Sequence, residues 1–234
     1  MTFNPLQKPP IKVFIVDDHS LVRAGIARMM ADEPDITVIG QAESGEGALT
    51  LLQQITPNVV LMDVNMPGMG GIEATQRIKK YYPKIRIIGM SSIDVGVIPT
   101  RMLAAGAQAF ITKSVTVAEL MNAVRLVHAG QHYITSSVAV NLATDPFNKG
   151  EKVMFEKLSK RELQIAMLLS EGAKVSGVAE LLELSPKTVY TYRYRVFEKL
   201  GIKSDVELTI LAMKNGICES SEDLMNYGTY RQSL

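Results

Sequence analysis

Tryptophan is absent and there is one cysteine, Cys218, so the chain has neither an internal disulfide nor a thiolate-rich metal site. Its three histidines, His19, His128 and His132, are scattered, which excludes a histidine metal cluster and any phosphodonor histidine belonging to the chain itself. Charge of neither sign dominates: 25 basic residues face 24 acidic ones, for a net charge of +1, so overall charge selects no partner. No apolar run approaches the roughly 20 residues of a membrane-spanning helix. The opening MTFNPLQKPPIK carries prolines where a signal peptide has its apolar core. These absences leave a soluble globular chain, expected in the reducing cytosol.

What is present is 234 residues, 47% hydrophobic and 21% charged, a length suited to two domains of unequal size. Thirteen methionines lie scattered at helical positions, as adaptable core filler rather than a ligand box. From Ile11 to about Gly130, five short apolar runs alternate with helical patterns: IKVFIVDD, ITVIGQA, NVVLMDV, IRIIGMSS and AQAFITK. Near-continuous apolar runs are what strands covered on both faces require. Among the helices, Val22, Ile26 and Met29 form one stripe and Leu120, Ala123, Val124 and Val127 another, the latter opened by a Thr-x-x-Glu capping box in TVAE. Five alternations predict an α/β, doubly wound, five-stranded parallel sheet of the flavodoxin-like kind, whose ligands bind at the carboxyl ends of the strands.

That edge is where the chemistry converges. The first strand delivers Asp17 and Asp18, the third Asp63, and the fifth Lys113. Three carboxylates brought together repel one another and need a cation. Oxygen ligands with room for water suit Mg²⁺. A carboxylate beside Mg²⁺ and an ammonium group is an arrangement for attack on phosphorus, with metal and lysine neutralising the phosphoryl oxygens. Asp63, on the middle strand, is the central candidate.

Residues 131 to about 155 lose the alternation and read as a linker, with a helical turn expected around Val138 to Leu142. Beyond them the pattern is helical only. Start signals stand at Ser159 to Glu162, Ser185–Pro186 and Ser204 to Glu207, and stops at Gly172, Gly201 and Gly216. In SPKTVYTYRYRVFEKLG, Val189, Tyr192, Val196 and Leu200 share one face, while Lys187, Thr191 and Tyr194 point away, flanked by Tyr190 and Arg195. Lys187 to Lys203 holds five basic residues against Glu198 alone. A short helix, a turn and this helix make a helix-turn-helix layout, whose second helix enters the major groove of double-stranded DNA. Residues 217–234 are polar and aperiodic, the signature of a flexible tail.

The segments VDDH, LMDVNMPGMGG, GMSS and ITK, in that order, resemble the receiver domain of two-component response regulators over residues 11–130. Residues 156–216, with LSKRELQIAMLLSEG and SPKTVYTYRYR, resemble the four-helix LuxR-type helix-turn-helix domain. Together they are similar to the NarL/FixJ class, and within it to a branch served by tripartite sensor kinases. The resemblance implies a cytoplasmic, phosphorylation-gated transcriptional regulator that receives a phosphoryl group on Asp63 from the phosphotransfer domain of a sensor histidine kinase. It implies Mg²⁺ held by Asp18, Asp63 and the backbone carbonyl of Asn65, with Asp17 acting directly or through water. Ser91 takes the switch hydroxyl position, Phe110 the switch aromatic that turns inward, and Lys113 the phosphate contact. Lys187, Thr188, Tyr190, Thr191, Tyr194 and Arg195 are the implied DNA-reading positions, and Val206, Ile210 and Met213 the dimer surface of a homodimer on DNA. Ser114 departs from the proline that many receivers place after the lysine. The competing reading is an aspartate-based phosphatase. That class needs a second aspartate two residues after the nucleophile, where this chain has Asn65, and turnover of a substrate is not expected.

Overall fold

The computed structural model describes residues 9–92, 97–144, 154–215 and 217. Gly216, all of the expected tail after Ile217, Cys218 included, and the middle of the expected linker lie outside them; Ile217 itself is buried. Strands β1 (Ile11–Val16), β2 (Ile36–Ala42), β3 (Val59–Asp63), β4 (Arg86–Ser91) and β5 (Ala109–Thr112) fall on the five apolar runs. The sheet order is β2-β1-β3-β4-β5-β6, with a two-residue sixth strand, β6 (Tyr133–Ile134), added on β5. The expected count of five is thereby corrected to six. Two residues are too few to show a period, so β6 leaves no trace in the pattern.

Parallel pairing sets Val13 beside Val59 and Asp63 beside Met90. Helices α1 (Ser20–Ala31), α2 (Gly45–Leu51), α3 (Gly70–Tyr81), α4 (Val97–Ala104) and α5 (Val117–His128) separate the strands. On one face Val13, Ile15, Leu61, Ile88 and Ile111 meet Ile26 and Met30 of α1 and Leu120, Ala123, Val124 and Val127 of α5. Alternation sends Phe14, Val60 and Met62, equally buried, to the opposite face. The predicted α5 stripe is thus fully buried, and on α1 Met30 completes the stripe that Val22 and Met29 border. Thr116 and Glu119 form the reciprocal capping box at the head of α5, a device worth about 1 kcal/mol.

Helix α6 (Ser136–Thr144) lies where a single turn was expected. The helical unit comprises α7 (Lys160–Ser170), α8 (Val175–Leu181), α9 (Pro186–Leu200) and α10 (Asp205–Lys214). Helix α7 packs on both α9 and α10, and α8 on α9. Ser159 and Glu162 cap α7 reciprocally, and Ser185 with Pro186 opens α9. At α10 the box is one-sided: Ser204 accepts from the Glu207 amide, while the Glu207 carboxylate takes the Lys203 amide instead. Gly172 and Gly201 stop α7 and α9 with φ of 87° and 66°. The turn between α8 and α9 holds Glu183 at φ 52°, a left-handed conformation that usually falls to glycine.

Candidate functional sites: an acidic pocket and a basic helix

Because β1, β3 and β5 are parallel members of one sheet, their carboxyl ends share an edge. Lys113 Nζ lies 2.9 Å from Asp17 Oδ2 and 3.0 Å from Asp63 Oδ2, bridging two carboxylates that are buried to 0% and 1% side-chain exposure. Asp18, Asp17, His19 and Asp63 offer donor atoms all within 4.8 Å of one another. The loop holds Asp63 tightly. The Asn65 amide donates to Asp63 Oδ1 at 3.3 Å, the Gly71 amide donates to the Val64 carbonyl, and a Cβ on Gly71 would stand 1.9 Å from the Asp63 carbonyl oxygen. Gly71 is therefore there for close backbone approach, and Gly68 and Gly70 for positive φ. This is what the glycines after Pro67 do.

The electrostatics are unbalanced. Burial pushes the Asp63 carboxyl up to about 7; Lys113 opposes this, and Asp17 and Asp18 add to it. For Lys113, burial works against the charge, but Asp63 and Asp17 outweigh it and hold the ammonium above its ordinary pKa. Three carboxylates against one ammonium leave a formal charge of −2, the complement of a divalent cation. Asp18 Oδ1 is buried and receives no well-aligned hydrogen bond, although His19 Nδ1 lies 3.0 Å away. Hard oxygen donors, an excess of −2 and an unsatisfied carboxylate oxygen fit Mg²⁺. Ser91 ends β4 buried, next to Met90, whose carbonyl accepts from the Val64 amide just past Asp63. The Phe110 ring is fully buried, in the space that Gly89 leaves: a Cβ there would meet Met102 Cγ at 2.5 Å and Phe110 Cδ2 at 3.2 Å. The ring is thus already inward. Ser114, in the place of proline, bonds its hydroxyl to Thr112 at 2.9 Å across Lys113.

On α9 the apolar face is as read: Val189, Val196 and Leu200 are buried and Tyr192 is half-buried. Lys187, Tyr190, Thr191, Tyr194 and Arg195 are exposed, with Tyr190 at 57% and Tyr194 at 70%. Thr188 is turned into the helix cap against Ser185 at 2.8 Å, and the Thr191 hydroxyl donates back to the Lys187 carbonyl. Two of the five basic groups serve the fold. Arg193 makes a paired contact with Asp205 and stacks on Phe197, and Lys199 pairs with buried Glu162. Among the described residues, Lys187, Arg195 and Lys203 remain without an ion pair. On α10, Val206, Ile210 and Met213 are exposed at 68%, 51% and 37%.

A buried acid–lysine edge on a doubly wound sheet, followed by a helix-turn-helix unit, defines a response regulator. Residues 13–125 match the response regulator receiver domain family, and residues 156–212 match the bacterial regulatory proteins of the luxR family. The chain belongs to the receiver–LuxR response regulators. It is 47% identical to the response regulator GacA of Pseudomonas protegens over 90% of this chain and 99% of that one. It is 42% identical to the response regulator UvrY of Escherichia coli, covering 90% and 97%. Among solved structures it is similar to a chain from the structure of two RcsB dimers bound to two parallel DNAs, at 25% identity, with a TM-score of 0.56, over 86% of this chain and 97% of that one.

Proposed function

We propose that Asp63 accepts a phosphoryl group from the phosphotransfer domain of a sensor histidine kinase and that the modified protein binds promoter DNA through α9, as a homodimer. The observation that carries this is Lys113 bridging Asp17 and Asp63 inside a pocket whose charge falls short by the two units a divalent cation supplies. An Asp63 oxygen attacks phosphorus, the bond to the donor histidine nitrogen breaks, and the imidazole leaves with the electron pair. Lys113 neutralises one side of the transferring group. Asp18, Asp63 and the Asn65 carbonyl would hold Mg²⁺ with Asp17 nearby, and the ion supplies charge neutralisation to the other phosphoryl oxygens.

The switch then falls to Ser91, whose hydroxyl turns toward the new phosphoryl oxygens. Phe110, already inward, holds the space behind it. This biases a pre-existing equilibrium by added charge. Lys187 and Arg195 supply phosphate or base-edge contacts and Tyr190, Thr191 and Tyr194 the exposed reading face, with Thr188 serving the helix start. Val206, Ile210 and Met213 form the dimer contact in this reading; that RcsB binds DNA as dimers supports a dimeric state on DNA. Action on DNA supports a cytoplasmic location. No helix among the described residues is long and apolar enough to cross a membrane.

With Mg²⁺ and acetyl phosphate the protein should form a hydroxylamine-sensitive acyl phosphate that is lost in Asp63→Asn. Rapid multiple turnover of phosphate esters would overturn the regulator reading in favour of a phosphatase. Asn65, in place of the general acid such an enzyme needs, speaks against that outcome.

A further inference from the structure

The cation pocket has a donor that hard-ion chemistry does not require. His19 follows directly on the two aspartates of β1, as the residue before α1, and its side chain caps nothing there. Its backbone amide is tied to Asp17 Oδ1 at 2.8 Å, which fixes where the residue sits, while the imidazole is 66% exposed and free of the core. Nδ1 lies 3.0 Å from Asp18 Oδ1 and 3.7 Å from Asp17 Oδ1. Two donors at about 2.1 Å from one ion, at right angles, are separated by about 3.0 Å. The Nδ1–Oδ1 pair already has the spacing of one edge of a coordination octahedron. The 3.7 Å pair falls between that edge and the roughly 4.2 Å of opposite positions. The buried Asp18 Oδ1, lacking a well-aligned hydrogen bond, is the oxygen on that edge.

We infer that His19 is a nitrogen ligand of the acidic pocket and sets its metal preference, favouring Mn²⁺ and other imidazole-binding divalent ions over Mg²⁺. Mg²⁺ gains little from nitrogen and keeps water in that position, whereas the first-row divalent ions gain from imidazole, Mn²⁺ least and Co²⁺ and Zn²⁺ more. A chain with only carboxylate and carbonyl donors would discriminate weakly among these ions at a given charge. The nitrogen adds a ligand that only the softer ions use well.

This rests on the acidic pocket being a cation site at all, so the experiment separates the two statements. MnCl₂ and MgCl₂ binding to the full chain is measured by titration calorimetry, with Mn²⁺ also followed by its electron paramagnetic resonance signal, in wild type, His19→Ala, His19→Asp and Asp18→Asn. His19→Ala should weaken Mn²⁺ by about tenfold or more and Mg²⁺ by less than about twofold. His19→Asp, which restores a ligand but an oxygen one, should recover Mg²⁺ binding fully and Mn²⁺ only in part. Asp18→Asn should weaken both ions. An equal loss of both ions in His19→Ala, or no loss of either, overturns the ligand assignment while leaving the pocket intact. Unchanged affinities in Asp18→Asn overturn the pocket and the ligand assignment together.

Discussion

The acidic pocket and the exposed face of α9, the two sites of the proposed function, hold their charge in opposite ways. Asp17 and Asp63 are buried, drawn from strands some 45 residues apart, and held against one another by one lysine. Lys187, Tyr194 and Arg195 come from two turns of one helix, stand in solvent, and are supported by a separate apolar stripe. In the first region function costs stability, because each group that reacts is also one that burial disfavours. In the second, function and stability use different faces. Changes in the pocket should therefore move both properties, and changes on α9 only one.

The largest effect expected is at Gly71. A Cβ 1.9 Å from the Asp63 carbonyl oxygen cannot be relieved by a side-chain rotation, so Gly71→Ala should destabilise the sheet domain by on the order of 3 kcal/mol. Urea unfolding followed by circular dichroism checks it; a loss below about 0.5 kcal/mol, the level of a surface change, would show that the loop is not pinned to the acidic strand.

Next comes Asp63 itself. Folding raises its carboxyl from 3.8 to about 7, so between those pH values the folded chain holds a proton that the unfolded chain has released. Wild-type stability should therefore fall as pH rises through that window. Asp63→Asn escapes the loss and, without divalent cation, should be more stable than wild type by on the order of 2 kcal/mol at pH 8, with little difference near pH 4. Added Mg²⁺ should narrow the gap by binding wild type more tightly than the variant. A gap independent of pH would contradict the strained-pocket account.

A smaller gain is expected where the helical unit carries strain without function. Glu183→Gly relieves a left-handed residue in the turn before α9 and should stabilise by about 1 kcal/mol, read by thermal unfolding. The smallest stability effect is at Tyr194, 70% exposed: Tyr194→Ala should stay within about 0.5 kcal/mol of wild type while abolishing specific DNA binding in gel shifts and leaving acyl phosphate formation intact. Loss of stability together with binding would erase the contrast between the two regions.

The elements were legible wherever a period or a cap repeated. All five long strands, the α5 stripe and the boxes at Thr116 and Ser159 lie in the pattern of apolar residues and start signals. So did the meeting of Asp17, Asp63 and Lys113, since parallel strands share an edge whatever their spacing in sequence. What remained hidden depends on contacts between atoms. The clash that reserves Gly71, the closure of Phe110 over Gly89, and the approach of His19 to Asp18 have no period to betray them. Residue type alone also overstated the basic charge of α9, because the partners of Arg193 and Lys199 are Asp205 in α10 and Glu162 in α7. A one-sided box at Ser204 and a strained Glu183 likewise show only once the backbone is placed.

In the proposed function, charge chemistry at Asp63 governs where α9 binds DNA. Genome-wide mapping of bound DNA, compared between wild type and Asp63→Asn in cells under kinase-activating conditions, tests it directly. A defined set of sites in wild type should disappear in Asp63→Asn and equally in Tyr194→Ala. The same sites occupied to the same extent in wild type and Asp63→Asn would contradict it.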